Sequence, residues 1–110
     1  MIIMEEKFML SNYPACFFKE KTGVCNVVFP DFNDATTFGN SFDEAMSMAV
    51  DLLAGLISVI KEENGLVPVP SEPDTLKPEE RYPELAEDCE SVFVNMVTVD
   101  VDEYAKNNFL

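Results

Sequence analysis

The stretch of sequence that decides the fold is residues 13–45, YPACFFKEKTGVCNVVFPDFNDATTFGNSFDEA. It opens with a short aromatic run that enters a polar turn at Gly23, where glycine adopts positive φ without a steric penalty. The return run at residues 25–29 is β-branched and aromatic, and it must end at Pro30 because proline has no N–H to continue a ladder. These runs predict a β-hairpin, and residues 35–38 predict a third short strand.

A long amphipathic helix is predicted after the third strand. Ser41 and Glu44 have the spacing of a capping box, in which each side chain accepts a hydrogen bond from a backbone N–H at the helix start. The helix should begin at Phe42 and end near Gly65, because glycine is the usual residue just past a helix end. Apolar residues recur at the spacing of one buried stripe, at Phe42, Ala45, Met46, Ala49, Leu52, Leu53, Leu56, Ile57 and Ile60. We interpret Gly55, inside this helix, as a position of close packing against the sheet.

The second half of the chain contains an acidic, proline-containing crossing and one more strand. Residues 66–90 are expected to form a surface crossing with a helical turn, since their prolines exclude a long helix and disfavour a central strand. Residues 92–99 alternate apolar side chains on both faces, so this strand is either central in the sheet or presents its outer face to a partner. Asp100 and Glu103 repeat the capping pattern and predict a short helix over residues 101–105.

Together these elements predict a single α+β domain over residues 1–110. The expected architecture is a small antiparallel or mixed sheet of about four strands with one long helix packed on one face. The other face has no helix to cover it, so we expect either the crossing at residues 66–90, a second copy or a partner to cover it. The candidate self-association residues on the last strand are Phe93, Val97 and Val99.

Charge restricts the class of partner. The chain has 21 acidic and 7 basic residues and a net charge of −14, which would repel the phosphates of nucleic acid. Direct nucleic-acid binding is therefore not expected, and a basic protein is the natural complement, although many acidic domains are simply solvated. The N-terminus has no signal-peptide pattern and the long helix face carries polar residues, so we expect a cytoplasmic protein without membrane contact.

Catalysis is not expected. The chain has no histidine, which removes the commonest general base and a usual zinc ligand. Cys16, Cys25 and Cys89 have no C-x-x-C spacing and are interpreted as reduced thiols acting as small apolar side chains. We therefore expect no catalytic residue, no metal site and no cofactor.

Four motifs in this order resemble the HicB family of bacterial antitoxins. They are Y-P-A-x-F in the hairpin, V-x-F-P-D-F, T-x-G-x-S-x-x-E-A at the strand-to-helix junction, and P-x-P-S after the helix. The resemblance covers residues 13–71 and resumes over residues 93–104. It implies a partial ribonuclease H-like domain, and an antitoxin of a type II toxin–antitoxin system that binds and inhibits a small basic HicA-like mRNA interferase. It also implies that a full-length form represses its own operon through a C-terminal DNA-binding module, which we expect to be absent from this chain.

The ribonuclease H resemblance does not imply a nuclease here. Active folds of that kind place an essential aspartate on the first strand, whereas residues 13–18 contain no carboxylate. We place toxin binding on an acidic and aromatic edge that consists of Asp31, Phe32, Asp34, Phe38, Asp43 and Glu44. We also expect the protein to form a homo-oligomer, a dimer or tetramer. The alternative function is a homo-oligomeric structural or phage-derived domain of the same fold with no toxin partner.

Overall fold

The computed structural model describes residues 10–108, which form one four-stranded antiparallel sheet and one long helix. The strands are β1 (Ser11–Glu20), β2 (Cys25–Phe29), β3 (Ala35–Gly39) and β4 (Cys89–Val99), in the order β3-β2-β1-β4. The helices are α1 (Phe42–Glu62), α2 (Pro78–Arg81), α3 (Pro83–Ala86) and α4 (Val101–Asn108). The α+β fold class is confirmed. None of the described helices is long and apolar enough to cross a membrane.

The β1–β2 hairpin turns at Gly23, which has a φ of 100°. The backbone N–H of Gly23 donates to the carbonyl of Glu20 at 3.0 Å. The two strands pair in a register that places Cys16 opposite Val28. A 3-10 turn at Pro30–Phe32 ends β2. The chain then reverses into β3 through Asn33 and Asp34, which have φ values of 56° and 59°. Asparagine and aspartate tolerate this left-handed conformation better than other side chains do.

The serine half of the capping box predicted at the start of α1 is present, and the glutamate reaches one residue further back, to Asn40. The backbone N–H of Glu44 donates to Ser41 Oγ at 3.1 Å, and Glu44 Oε1 accepts from the backbone N–H of Asn40 at 2.6 Å. The helix ends at Glu62, and the N–H of Gly65 donates to the carbonyl of Ile60 at 2.8 Å. The predicted length and bounds of α1 are therefore confirmed to within a few residues.

Two apolar layers lie on opposite faces of the sheet because successive side chains of a strand point to opposite faces. On one face, Tyr13, Ala15 and Phe17 of β1 pack with α1 in the main core. On the other face, Cys16 and Phe18 belong to a second, smaller cluster. The second cluster also contains Val28 and Leu76, with Tyr82 and Ala86 packed against it.

The crossing at residues 66–90 covers the face that α1 leaves bare. Leu76 is only 3% exposed, and the rings of Phe18 and Tyr82 meet edge to face with centroids 5.9 Å apart. Instead of a loop with one helical turn, the crossing contains a 3-10 turn at Pro73–Thr75 followed by α2 and α3. Of the expected ways to cover this face, the chain uses its own crossing.

Of the two alternatives for the last strand, the central position is excluded, because β4 lies at an edge of the described sheet with β1 as its only neighbour among the described strands. The prediction for Gly55 was wrong. Gly55 does not pack against the sheet, since a Cβ built on it would meet no atom within 4 Å. The glycine that packs closely is Gly39, whose Cβ would lie 2.3 Å from the backbone nitrogen of Ala45. The backbones of β3 and α1 are therefore in close contact where the strand leads into the helix.

Candidate protein-interaction site

The chain between β2 and α1 carries the predicted binding residues, and two of its carboxylates hold the crossing. Asp31 Oδ2 accepts from the backbone N–H of Ser71 at 2.9 Å, and Asp31 Oδ1 accepts from Ser71 Oγ at 2.5 Å. Asp34 Oδ1 accepts from the hydroxyl of Tyr82 at 2.5 Å. Hydrogen bonds to charged acceptors are among the stronger ones. Both aspartates therefore fix the position of residues 66–90 over the sheet.

Phe32 lies in the core. Its side chain is 7% exposed. Its ring packs edge to face against the ring of Tyr13, with centroids 4.8 Å apart, and against the ring of Phe29, with centroids 6.2 Å apart. Burial of this aromatic ring fixes the 3-10 turn that carries Asp31, which is next to it in the chain. Phe32 can therefore support a binding surface from beneath.

Three exposed members of the predicted set lie near the junction of β3 and α1. Phe38 is 57% exposed, on the sheet face opposite α1, and pairs with Asn26 in the ladder. Asp43 and Glu44 occupy the first turn of α1, where acidic side chains are favoured by the helix dipole. We call Phe38, Asp43 and Glu44 the junction surface. It consists of an exposed aromatic ring on one face of the sheet and two carboxylates on the helix that packs against the other face.

Burial raises the pKa of the two tyrosines that fasten the crossing. The pKa of Tyr82 is raised by burial and by its hydrogen bond to Asp34. The pKa of Tyr13 is raised by burial and by the nearby charge of Asp31, and its hydroxyl donates to the carbonyl of Pro68 at 2.5 Å. Both phenols remain protonated donors at neutral pH, so the crossing stays fastened at both ends.

The cysteines do not have the properties of nucleophiles. Burial raises the pKa of the Cys16 thiol to about 11, and burial also raises the pKa values of Cys25 and Cys89. The thiolate, not the thiol, is the reactive form. Within residues 10–108 there is also no group of three or more metal-binding side chains placed to hold an ion.

The predicted self-association residues face α1. Phe93 stacks on Phe17 with centroids 5.4 Å apart, and Val97 and Val99 are 1% and 7% exposed in the main core. These side chains stabilise the single chain. The outer backbone edge of β4 pairs with no other strand within residues 10–108, since β1 pairs with only one side of it, and this edge is where a second copy could add a strand.

Sequence reasoning missed an apolar groove on the outer side of α1. The groove has a volume of about 530 Å³ and is lined by Phe32, Asn33, Asp51, Leu52, Gly55, Leu56, Val59 and Ile60. The helical periodicity assigned Leu52, Leu56 and Ile60 to one buried stripe, but each is only partly buried. Val59, which is 51% exposed, is the residue outside that stripe whose apolar character signals the groove.

Comparisons with known proteins identify the family. Residues 12–81 match the family described as HicB_like antitoxin of bacterial toxin-antitoxin system. The chain belongs to this family. No curated protein matches the sequence.

Solved structures agree with this family assignment. The chain is 32% identical to one from a toxin–antitoxin complex of Streptococcus pneumoniae, with a TM-score of 0.77, over 87% of this chain and 73% of that one. The N-terminal domain of the Burkholderia pseudomallei antitoxin HicB shares the fold, at 21% identity and a TM-score of 0.61, over 82% of this chain and 99% of that one. A chain of a HicA3 and HicB3 toxin–antitoxin complex also shares it, at 24% identity and a TM-score of 0.55, over 78% of this chain and 94% of that one. Membership of this family indicates a regulatory role.

Proposed function

We propose that this protein is the antitoxin of a type II toxin–antitoxin system and inhibits a small basic HicA-like mRNA interferase by binding it. The observation that carries the proposal is the likeness to the Streptococcus pneumoniae chain, which covers 87% of this chain and was solved in a toxin–antitoxin complex. The proposed mechanism is occlusion of the toxin's catalytic surface. It requires no catalytic group on the antitoxin, which is proposed not to be an enzyme and to act in the cytoplasm.

Charge supports a basic partner. The net charge of −14 gives a field that accelerates encounter with a basic protein and opposes binding of nucleic acid by this chain. We place the toxin contact at the junction surface, where Phe38 supplies an anchor and Asp43 and Glu44 supply charge. Asp31, Asp34 and Phe32 contribute to the same edge, mainly through the position of the crossing.

The test of this function is RNA cleavage by the small basic protein encoded beside this chain. Cleavage is measured with and without a stoichiometric excess of the antitoxin, and complex formation is followed by size-exclusion chromatography with light scattering. We expect suppressed cleavage and a stable complex. Continued cleavage without a complex, or the absence of any such neighbouring gene, would favour the homo-oligomeric alternative.

The contact residues are tested by Phe38→Ala and Asp43→Lys. Both side chains are exposed, so the fold should tolerate these changes while affinity for the toxin falls about tenfold or more. Glu103→Lys makes the same charge change as Asp43→Lys on the exposed surface of α4 and serves as the control. Equal losses for Asp43→Lys and Glu103→Lys would mean that overall charge, and not the junction surface, determines binding.

A homo-oligomer, dimer or tetramer, is part of the proposal. The open edge of β4 favours it, because between Ser91 and Val99 this strand has no charged side chain and no proline to discourage pairing. Repression of the operon is proposed for a form that carries a DNA-binding module. If the chain forms an oligomer but does not bind a toxin, the structural or phage-derived domain becomes the better assignment.

A further inference from the structure

The clearest unexplained feature of the molecule is a glycine in the outer face of its only long described helix. Gly55 lies in the middle of α1, where glycine destabilises a helix relative to alanine. A Cβ at this position would meet nothing within 4 Å, so no contact inside the chain requires glycine here. A helix position that breaks a local rule without an internal reason is typical of a functional site.

The space over Gly55 is the apolar groove. Leu52, Leu56 and Phe32 line it, and Val59 lies one turn beyond Gly55 at 51% exposure. Met48 extends the apolar surface toward the helix start at 43% exposure. A side chain at position 55 would project from this same outer face, since positions three and four residues apart are neighbours on a helix. The glycine therefore keeps the groove open.

The charges around the groove are negative. Asp51 lines it and accepts a hydrogen bond from the hydroxyl of Tyr104 at 3.1 Å. Glu62 lies two turns beyond Gly55 on the same helix face. The one basic residue of α1, Lys61, is directed to α4, where its Nζ is 3.9 Å from Asp102 Oδ1.

This charge distribution selects the occupant. In a two-fold pairing of helices centred on Gly55, Asp51 would face Val59 and Glu62 would face Met48 of the second copy, so neither carboxylate would meet a cation. A basic protein satisfies both features, because an apolar side chain fills the groove while a neighbouring lysine or arginine approaches Asp51.

We propose that the groove over Gly55 is a docking pocket for one apolar side chain of the basic toxin, separate from the junction surface. This inference rests on the proposed function and adds to it a second contact and a glycine that keeps this contact accessible. Asp43 and Glu44 of the junction surface lie on the same helix as the groove, so a single toxin can reach both.

The test uses Gly55→Ala and Gly55→Leu in the full chain, with the small basic protein encoded beside it as the probe. Gly55→Ala should raise the Tm by about 4–8 °C, because the new methyl group enters open space and removes the conformational freedom of glycine. The same change should weaken toxin binding, and Gly55→Leu should weaken it about tenfold or more as the larger side chain fills the groove. Stability and affinity therefore change in opposite directions.

Asn107→Ala and Asn107→Leu are the controls. Asn107 is exposed on α4 and belongs to neither the groove nor the junction surface, so these changes alter helix propensity without altering toxin affinity. Unchanged affinity in both Gly55 variants would overturn the pocket while leaving the antitoxin function in place. Loss of self-association instead of toxin binding would overturn it in favour of a second copy, and failure of the unaltered chain to bind the toxin would reject the proposed function itself.

Discussion

Gly39, at the end of β3, lies so close to the backbone of α1 that there is no room for a side chain at this position. A Cβ at this residue would lie 2.3 Å from the backbone nitrogen of Ala45 and 2.7 Å from its Cα. The obstacle is helix backbone, which cannot rotate away as a flexible side chain could. The glycine lets the chain turn directly from the strand into the capped helix start at Ser41.

Gly39→Ala is expected to lower the free energy of unfolding by about 1–3 kcal/mol or more, because the strand and the helix must separate to admit the methyl group. Urea unfolding followed by circular dichroism measures this. Gly55→Ala is the control, since its methyl group meets open space and should stabilise the chain by about 1 kcal/mol. Equal effects of the two substitutions would contradict the packing described for both glycines.

At the scale of elements, the crossing is held by hydrogen bonds that connect it to the sheet and to the 3-10 turn. Tyr13 donates to Pro68, Asp31 accepts from Ser71, and Tyr82 donates to Asp34. These contacts span sequence separations of 40 to 55 residues. The crossing is proline-rich and its helices are only three or four residues long, so its order depends on these hydrogen bonds.

Tyr82→Phe keeps the ring on Phe18 but removes the donor to Asp34. We expect a loss of about 1–3 kcal/mol in stability, as for other hydrogen bonds to charged groups, and faster amide exchange in residues 76–86. Hydrogen–deuterium exchange with mass spectrometry measures the local effect. Tyr104→Phe is the control because it removes a phenol bonded to Asp51, outside the crossing. Unchanged exchange in residues 76–86 would show that apolar packing alone holds the crossing.

The open edge of β4 leads to a prediction about assembly. Asn95 is exposed near the middle of the strand, and lysine on an edge strand opposes pairing with another chain. Asn95→Lys is expected to convert an oligomer to a monomer, as measured by light scattering across a concentration series. Thr36→Lys, exposed on β3 at the other edge of the sheet, is the control. An oligomer that survives Asn95→Lys must use another surface.

For the whole molecule, the dominant property is the net charge of −14. Association with a basic partner is expected to slow about tenfold or more between about 50 mM and about 500 mM salt, because ions screen the attraction during encounter. The dissociation rate should change much less, since contacts within the complex are closer than a Debye length. Surface plasmon resonance over a salt series measures both rates. A salt-independent association rate would exclude electrostatic steering.

Local sequence patterns predicted the elements of this protein. Gly23 predicted the hairpin, the spacing of Ser41 and Glu44 predicted the start of α1, and the apolar alternation of residues 92–99 predicted the last strand. These features are determined by interactions between residues close in the chain, so the sequence alone contains them. The order of motifs along residues 13–71 indicated the HicB family in the same way.

Only the tertiary structure decided which surfaces remain available to bind a partner. Asp31 and Asp34 were predicted at a binding edge, but their hydrogen-bond partners come from a segment about 40 residues or more away in the chain. The roles of Gly39 and Gly55 depend on which atoms of other elements approach them, and β4 is an edge strand because no other described strand pairs with its outer side. Local pattern determined what each segment is, and contacts between distant segments determined what each surface can bind.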